Sequence, residues 1–418
     1  MSPRPPLDVR EDATASPAVA PEAAFPRRLW RAALAAFVLA GATGAGYRLA
    51  VFVGFHGLDP TNVRHAHSHL MFFSWVTPAL MLLLLAHLPP SRTGLQTGRR
   101  TMRRAALASL VLGFASYPPF LLYGYGVAHI GALRMPLSVI ASTANMLAWY
   151  VFAAGYVRAT RGHARTRPLR LWDAAVGLLV VSTFGAWLLG LLQMRGGATE
   201  FALAAALHLF VHLFAEGWFV LALLGVLHAQ YPVKDAASGR MADLGTALAA
   251  WALPLTFLLG VRVALVPADL RAIAGAAGVV VAAGLALHGL ALWRAGAPRL
   301  PLAFLLVRSA MLAAASVPAV ARWGEGMGLR ILFLHVMLLC FVSVGIVEAA
   351  RRAWGDASVP ARRAFALGVT LLVASLVPLS GVWPLALTGA WTWRFAAGAA
   401  LVPVAAAAWM ALHAKAAR

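Results

Sequence analysis

Apolar runs of about 20 residues recur along nearly the whole chain, and a run of this length can cross a bilayer as a helix. The hydrocarbon core offers no water to unpaired backbone groups, so repeated runs predict helices that pack as a bundle. The expected fold is an all-α polytopic membrane bundle of about twelve transmembrane helices, forming a single domain over 27–418. The runs lie near 31–55, 66–88, 105–126, 136–158, 172–194, 200–228, 243–265, 271–293, 302–321, 331–350, 364–384 and 393–413.

Arginine is concentrated in alternate connections between these runs. The connections at 89–104 and 158–170 contain five arginines each, and those at 294–299 and 351–363 are also basic. The positive-inside rule assigns such connections to the cytoplasm, so both termini are predicted to be cytoplasmic. The expected location is a bacterial-type inner membrane. The net charge of +21 then reflects topology and contact with anionic membrane lipids, not nucleic-acid binding.

The composition points to no functional site outside the spans. Charged residues make up 12% of the chain, about half the share in a soluble protein, and hydrophobic residues make up 61%. Residues 1–26 are rich in proline and alanine and predict a disordered cytoplasmic tail, without the short apolar stretch and cleavage site of a signal peptide. Cys340 is the only cysteine, so the chain cannot form an intramolecular disulfide.

Candidate chemistry is therefore sought among polar residues inside the spans, where they are costly and are functional candidates by default. Glu216 is the one acidic residue well inside a span, and the basic Arg308 in the ninth span has no evident partner in the sequence. Histidines concentrate in the second, sixth and tenth spans. They are His67 and His69, His208 and His212, and His335.

The histidines of the second and tenth spans stand at similar depth. His69 follows Arg64 by five residues and His335 follows Arg330 by five, which is roughly 7 Å along either helix. Neutral imidazoles from two helices can ligate one haem iron from its two sides. The spacing thus predicts a bis-histidine haem between these spans, with either His67 or His69 as the ligand from the second.

The sixth span carries a stripe of ligand-type side chains. In "ALHLFVHLFAEGWF", His208, His212 and Glu216 follow one another at i, i+4 and i+8, so they share one face of a helix. Two imidazoles and a carboxylate suit a non-haem iron or copper ion, and other helices must complete the coordination. Glu216 is also the candidate catalytic residue.

Together, the twelve spans and their histidines resemble the catalytic subunit of haem–copper oxidases and nitric oxide reductases. "HLFAEGW" (212–218) is similar to the sixth helix of the reductases, which implies that His212 and Glu216 bind the non-haem metal. "RHAHSHL" (64–70) is similar to the start of their second helix, which implies His67 as a haem ligand. However, "HSHLMFFS" (67–74) also resembles their tenth helix, which leaves His69 open.

Two departures from that family matter. The seventh span lacks the adjacent histidines that the family carries, and the tenth has only His335. The pattern is closer to the divergent NnrS-type haem–copper membrane proteins. The resemblance implies a haem protein that handles nitric oxide or oxygen, or passes electrons, and receives them from a donor subunit or cytochrome. The alternative is a twelve-helix secondary transporter without a cofactor, and the colour of the purified protein distinguishes the two.

Overall fold

The computed structural model describes residues 21–90, 96–355 and 358–413. The predicted tail lies mostly outside this part of the chain. The first helix begins at Pro21, so residues 21–26 are helical, and the disordered tail stays a prediction for residues 1–20.

Long helices account for nearly all of the described chain, and eleven of them are long and apolar enough to cross a membrane. A twelfth crossing is counted if the bent pair α9a and α9b forms one span. The all-α polytopic bundle expected from the sequence is confirmed, and the chain is a multi-pass membrane protein. The helices are α1 (Pro21–Val53), α2 (Pro60–His87), α3 (Gln96–Tyr123), α4 (Leu137–Thr160), α5 (Arg167–Arg195), α6 (Glu200–Gln230), α7 (Ala236–Gly260), α8 (Ala268–Arg294), α9a (Arg299–Ala315), α9b (Pro318–Gly326), α10 (Arg330–Trp354), α11 (Val359–Leu379) and α12 (Ala390–His413).

The ninth span is broken, whereas its apolar run predicted one straight helix over 302–321. α9a and α9b meet at an angle of 107°. The break lies at Val317, whose backbone is extended at φ −82° and ψ 121°, directly before Pro318. A proline disfavours helical geometry in the residue before it, which explains the position of the break.

The helices form a closed ring in chain order. Each helix packs against the next, and α12 packs against α1. Helices α2, α6 and α10 also contact one another across the middle. Their most apolar windows are 83%, 78% and 61% buried inside the protein, against 50% or less in the other spans. The three helices that carry the candidate histidines therefore form the centre of the bundle.

Each central helix widens into a π-helical segment next to its histidines. These segments are Met71–Val76 in α2, Leu213–Val220 in α6 and Val336–Ser343 in α10. π-Helical turns inside α-helices are uncommon and are frequent at functional sites.

Short elements complete the fold. A two-stranded antiparallel hairpin, β1 (Ala128–Ile130) and β2 (Leu133–Met135), joins α3 to α4. The last turns of α7 are a 3₁₀-helix over Leu253–Gly260, where Pro254 removes a backbone donor. Two single 3₁₀ turns, Val263–Leu265 and Leu385–Leu387, lie in loops, and a third, Val377–Leu379, ends α11.

Candidate functional site

His67 and His335 have the same protonation pattern. Nδ1 of His67 lies 2.7 Å from the carbonyl oxygen of Ala40 in α1, and Nδ1 of His335 lies 2.8 Å from that of Ile331. A carbonyl oxygen can only accept, so each neutral ring carries its hydrogen on Nδ1. The lone pair of each ring is therefore on Nε2, and neither Nε2 has a hydrogen-bond partner among the described residues.

The two histidines lie in the same region of the bundle. His67 and Arg48 both lie within electrostatic reach of His335. Helices α2 and α10 pack closely over 77–87 and 344–354, whereas their histidine-bearing ends, 60–70 and 330–335, make few backbone contacts with each other. The backbones of the two helices are therefore farther apart at the histidines than at their other ends.

His69 points to a different part of the bundle. Its ring stacks on Phe120 of α3, with centroids 3.8 Å apart and planes 9° apart, and its Nε2 lies 2.9 Å from the hydroxyl of Tyr125. Burial raises the pKa of Tyr125 to about 12, so that hydroxyl stays protonated. Of the two histidines that the sequence left open, His67 is the one within electrostatic reach of His335, and His69 faces α3.

His208, His212 and Glu216 line one cavity of about 340 Å³ between α6, α7, α9a, α9b and α10. The three side chains therefore share a face of α6, as their spacing predicts. The remaining wall is mostly apolar and includes Met311, Phe333 and Met337.

Glu216 and Arg308 form an ion pair in the interior. Their side chains are only 3% and 1% exposed, and the Arg308 guanidinium also lies over the ring of Phe333, 4.4 Å from its centre. Within the described part of the chain, Glu216 Oε2 and Arg308 Nε and Nη1 have no hydrogen-bond partner. A carboxylate at this depth needs a cation, and Arg308 supplies one. The sequence could not identify this partner because the two residues are 92 positions apart.

The two histidines of the stripe also have protein partners. His212 Nε2 lies 2.7 Å from the Thr256 hydroxyl, which donates its own hydrogen to the carbonyl oxygen of Leu253. Thr256 must therefore accept from His212, which places the hydrogen on Nε2 and the lone pair on Nδ1. His208 Nε2 accepts from Arg330 at 2.9 Å.

The metal site predicted on α6 has no preformed ligand set. In the part of the chain that the structure describes, no three His, Cys, Asp or Glu side chains are grouped as ligands for a metal ion. A non-haem iron or copper ion at His208, His212 and Glu216 stays a prediction, and the ion pair with Arg308 removes the need for a metal to neutralise Glu216.

One pair of buried histidines lies outside the motifs of the sequence. His228 Nε2 lies 3.0 Å from His288 Nδ1, and both rings are buried. The Thr246 hydroxyl approaches the other nitrogen of His288 at 3.4 Å. The two histidines are 60 positions apart on α6 and α8 and share no motif, so only the packing of the helices reveals the contact.

Comparison with known proteins gave no further assignment, since no family model and no curated protein matches the chain.

Proposed function

We propose that the protein is a membrane haem protein of redox function, with one haem between α2 and α10 and His67 and His335 as its axial ligands. The observation that carries this proposal is the matched pair of imidazoles, each with its hydrogen on Nδ1 bonded to a carbonyl and its Nε2 lone pair free. Iron-ligating histidines are commonly held in this way by a hydrogen bond at the other nitrogen. A haem held by two histidines would supply one-electron chemistry.

The surroundings of the two histidines suit a porphyrin. The two histidines lie on central helices of an apolar bundle, where a flat apolar macrocycle is favoured. Arg48 of α1 is half-buried beside both histidines and donates to the carbonyl oxygen of Gly44 at 3.1 Å. Its remaining guanidinium hydrogens would hold a carboxylate such as a haem propionate.

We also propose a relationship between this chain and a known superfamily of membrane proteins. A ring of helices with α2, α6 and α10 at its centre supports kinship with the haem–copper oxidase superfamily, with NnrS-type proteins nearest. On that basis the protein resides in a bacterial inner membrane and handles nitric oxide or oxygen, or passes electrons.

The test is spectroscopic. Protein purified in detergent from a haem-replete host is expected to show sharp low-spin bands in reduced-minus-oxidised spectra, and about one haem per chain in a pyridine haemochrome assay. A colourless preparation contradicts the proposal and favours a transporter without a cofactor.

Gly44 provides a test of the His67 position. A Cβ at Gly44 would lie 2.9 Å from His67 Cε1, so Gly44→Ala must displace the imidazole. We expect less bound haem and a partly high-spin spectrum. Gly46→Ala is the matched control, because a Cβ there meets nothing within 4 Å. Alanine favours a helix interior over glycine by about 0.5–1 kcal/mol, so neither change should impair folding of α1. Identical spectra for both variants would speak against His67 as a ligand.

A further inference from the structure

We propose that His65 and His69 bind a divalent transition-metal ion such as Cu²⁺ at the first turns of α2. This end of the helix is opposite the arginine-rich connection at 89–104, so it lies on the side predicted to face away from the cytoplasm. The site is separate from the proposed haem, because neither histidine is one of the two proposed axial ligands.

The two histidines are spaced as a pair of ligands on one helix. They stand at i and i+4 in the regular α-helical part of α2, so their side chains share a face. Their ring centroids are 6.4 Å apart. An ion about 2 Å from one nitrogen of each ring would hold the centroids roughly 5–6 Å apart. The ring of His65 is only half-buried and has no hydrogen bond to a described residue, so it is free to make this small movement.

His69 is held as metal-binding histidines commonly are. Its Nε2 lies 2.9 Å from the Tyr125 hydroxyl, whereas its Nδ1 is buried and has no partner among the described residues. A ligating imidazole usually donates its other N–H to a neighbouring polar group. With Nε2–H donated to Tyr125, the Nδ1 lone pair is available to an ion. Phe120 covers one face of the ring, but an ion approaches a ring nitrogen in the plane of the ring and is not blocked by this stacking.

The ligand type determines which ions fit. Imidazole nitrogen suits Cu²⁺, Ni²⁺ and Zn²⁺, with Cu²⁺ bound most tightly, and it does not suit Mg²⁺ or Ca²⁺. Two charged groups lie within electrostatic reach of His65: the Asp59 carboxylate favours a cation there, and the Arg64 guanidinium opposes it. No third His, Cys, Asp or Glu of the described chain is grouped with the pair. Water therefore fills the other coordination positions, and binding is expected to be readily reversible.

His67 does not belong to this site. It lies two positions from each member of the pair, which places it about 200° away around the helix. Its ring bonds the carbonyl oxygen of Ala40 in α1, whereas His69 contacts α3. An ion on His65 and His69 and a haem on His67 would occupy opposite faces of α2, so each is tested without the other.

The first test titrates metal-stripped full-length protein in detergent with Cu²⁺ by calorimetry. Loss of a hydrogen-bond partner of a ligand typically weakens metal binding roughly 10–100-fold, so Tyr125→Phe should raise the dissociation constant about tenfold. His65→Ala and His69→Ala each remove a ligand and should raise it by about 100-fold or more. His129→Ala is the matched control and should leave it unchanged, because His129 is an exposed histidine of the nearby hairpin that is not grouped with the pair.

The second test is the electron paramagnetic resonance spectrum of the Cu²⁺ complex. Hyperfine splitting from two imidazole nitrogens is expected in the wild type and from one in His65→Ala. This variant decides the question, since His69→Ala also removes a ring that stacks on Phe120. Equal dissociation constants and equal splitting in the wild type and His65→Ala overturn the inference. A haem-free protein that still binds Cu²⁺ through His65 supports it and contradicts only the proposed function, and a haem protein without this Cu²⁺ site gives the reverse result.

Discussion

Replacing His335 by alanine should abolish the low-spin haem spectrum, and replacing His67 should do the same. Each substitution removes one of two proposed axial ligands, so the iron becomes five-coordinate and high-spin, or the haem is lost. The effect should be nearly complete, because no other described histidine has been placed beside this pair. Difference spectra and haem content of the purified variants measure it.

Two control variants separate ligation from general damage. His69→Ala removes a stacked and hydrogen-bonded imidazole from the same helix as His67, but on the side of α3, and should keep the low-spin bands. His87→Ala removes an imidazole whose Nδ1 bonds the Leu83 carbonyl at 2.8 Å, which resembles the contact of His335. It should keep them too. Normal spectra in the His67 and His335 variants would eliminate this haem site.

The fold follows from the sequence to a large extent, because hydropathy and the cost of unpaired backbone groups in lipid determine it. The same pattern identified the second, sixth and tenth spans as the ones that carry ligand-type residues. The break at Val317 is harder to predict from the sequence. Pro318 is visible in the sequence, but prolines also occur inside unbroken helices here, such as Pro118 and Pro403. Neighbouring helices determine which prolines bend a span.

The sequence identified the residues of the candidate site better than it predicted the contacts between them. The spacing of His67 and His69 shows only that they occupy different faces of α2. The choice between them depends on where α3 and α10 lie, which is tertiary information. The partner of Glu216 was hidden for the same reason, since Arg308 approaches from another helix. Residue type and depth show that Glu216 must be protonated, hydrogen-bonded or bound to a cation, but they cannot distinguish a guanidinium from a metal ion.

Removing one member of the ion pair between Glu216 and Arg308 should strongly destabilise the interior. Arg308→Met leaves a carboxylate that is 3% exposed without its cation, and breaking a buried pair in this way typically costs about 3–5 kcal/mol. We expect a large fall in the thermal unfolding midpoint of the protein in detergent. Arg262→Met is the control, because its ion pair with Glu200 is 62% and 63% exposed and such pairs contribute about 1 kcal/mol or less.

The double variant Arg308→Met and Glu216→Met shows whether the charge itself is the cause. Replacing both members of a buried pair by apolar side chains removes the uncompensated charge, so stability should return to near that of the wild type. If the unpaired charge of Glu216 causes the loss of stability, Arg308→Met must be much less stable than the double variant. If Arg308→Met is no less stable than Arg262→Met, Glu216 is neutralised by protonation or by the metal ion predicted beside His208 and His212, and metal analysis of the variant distinguishes the two.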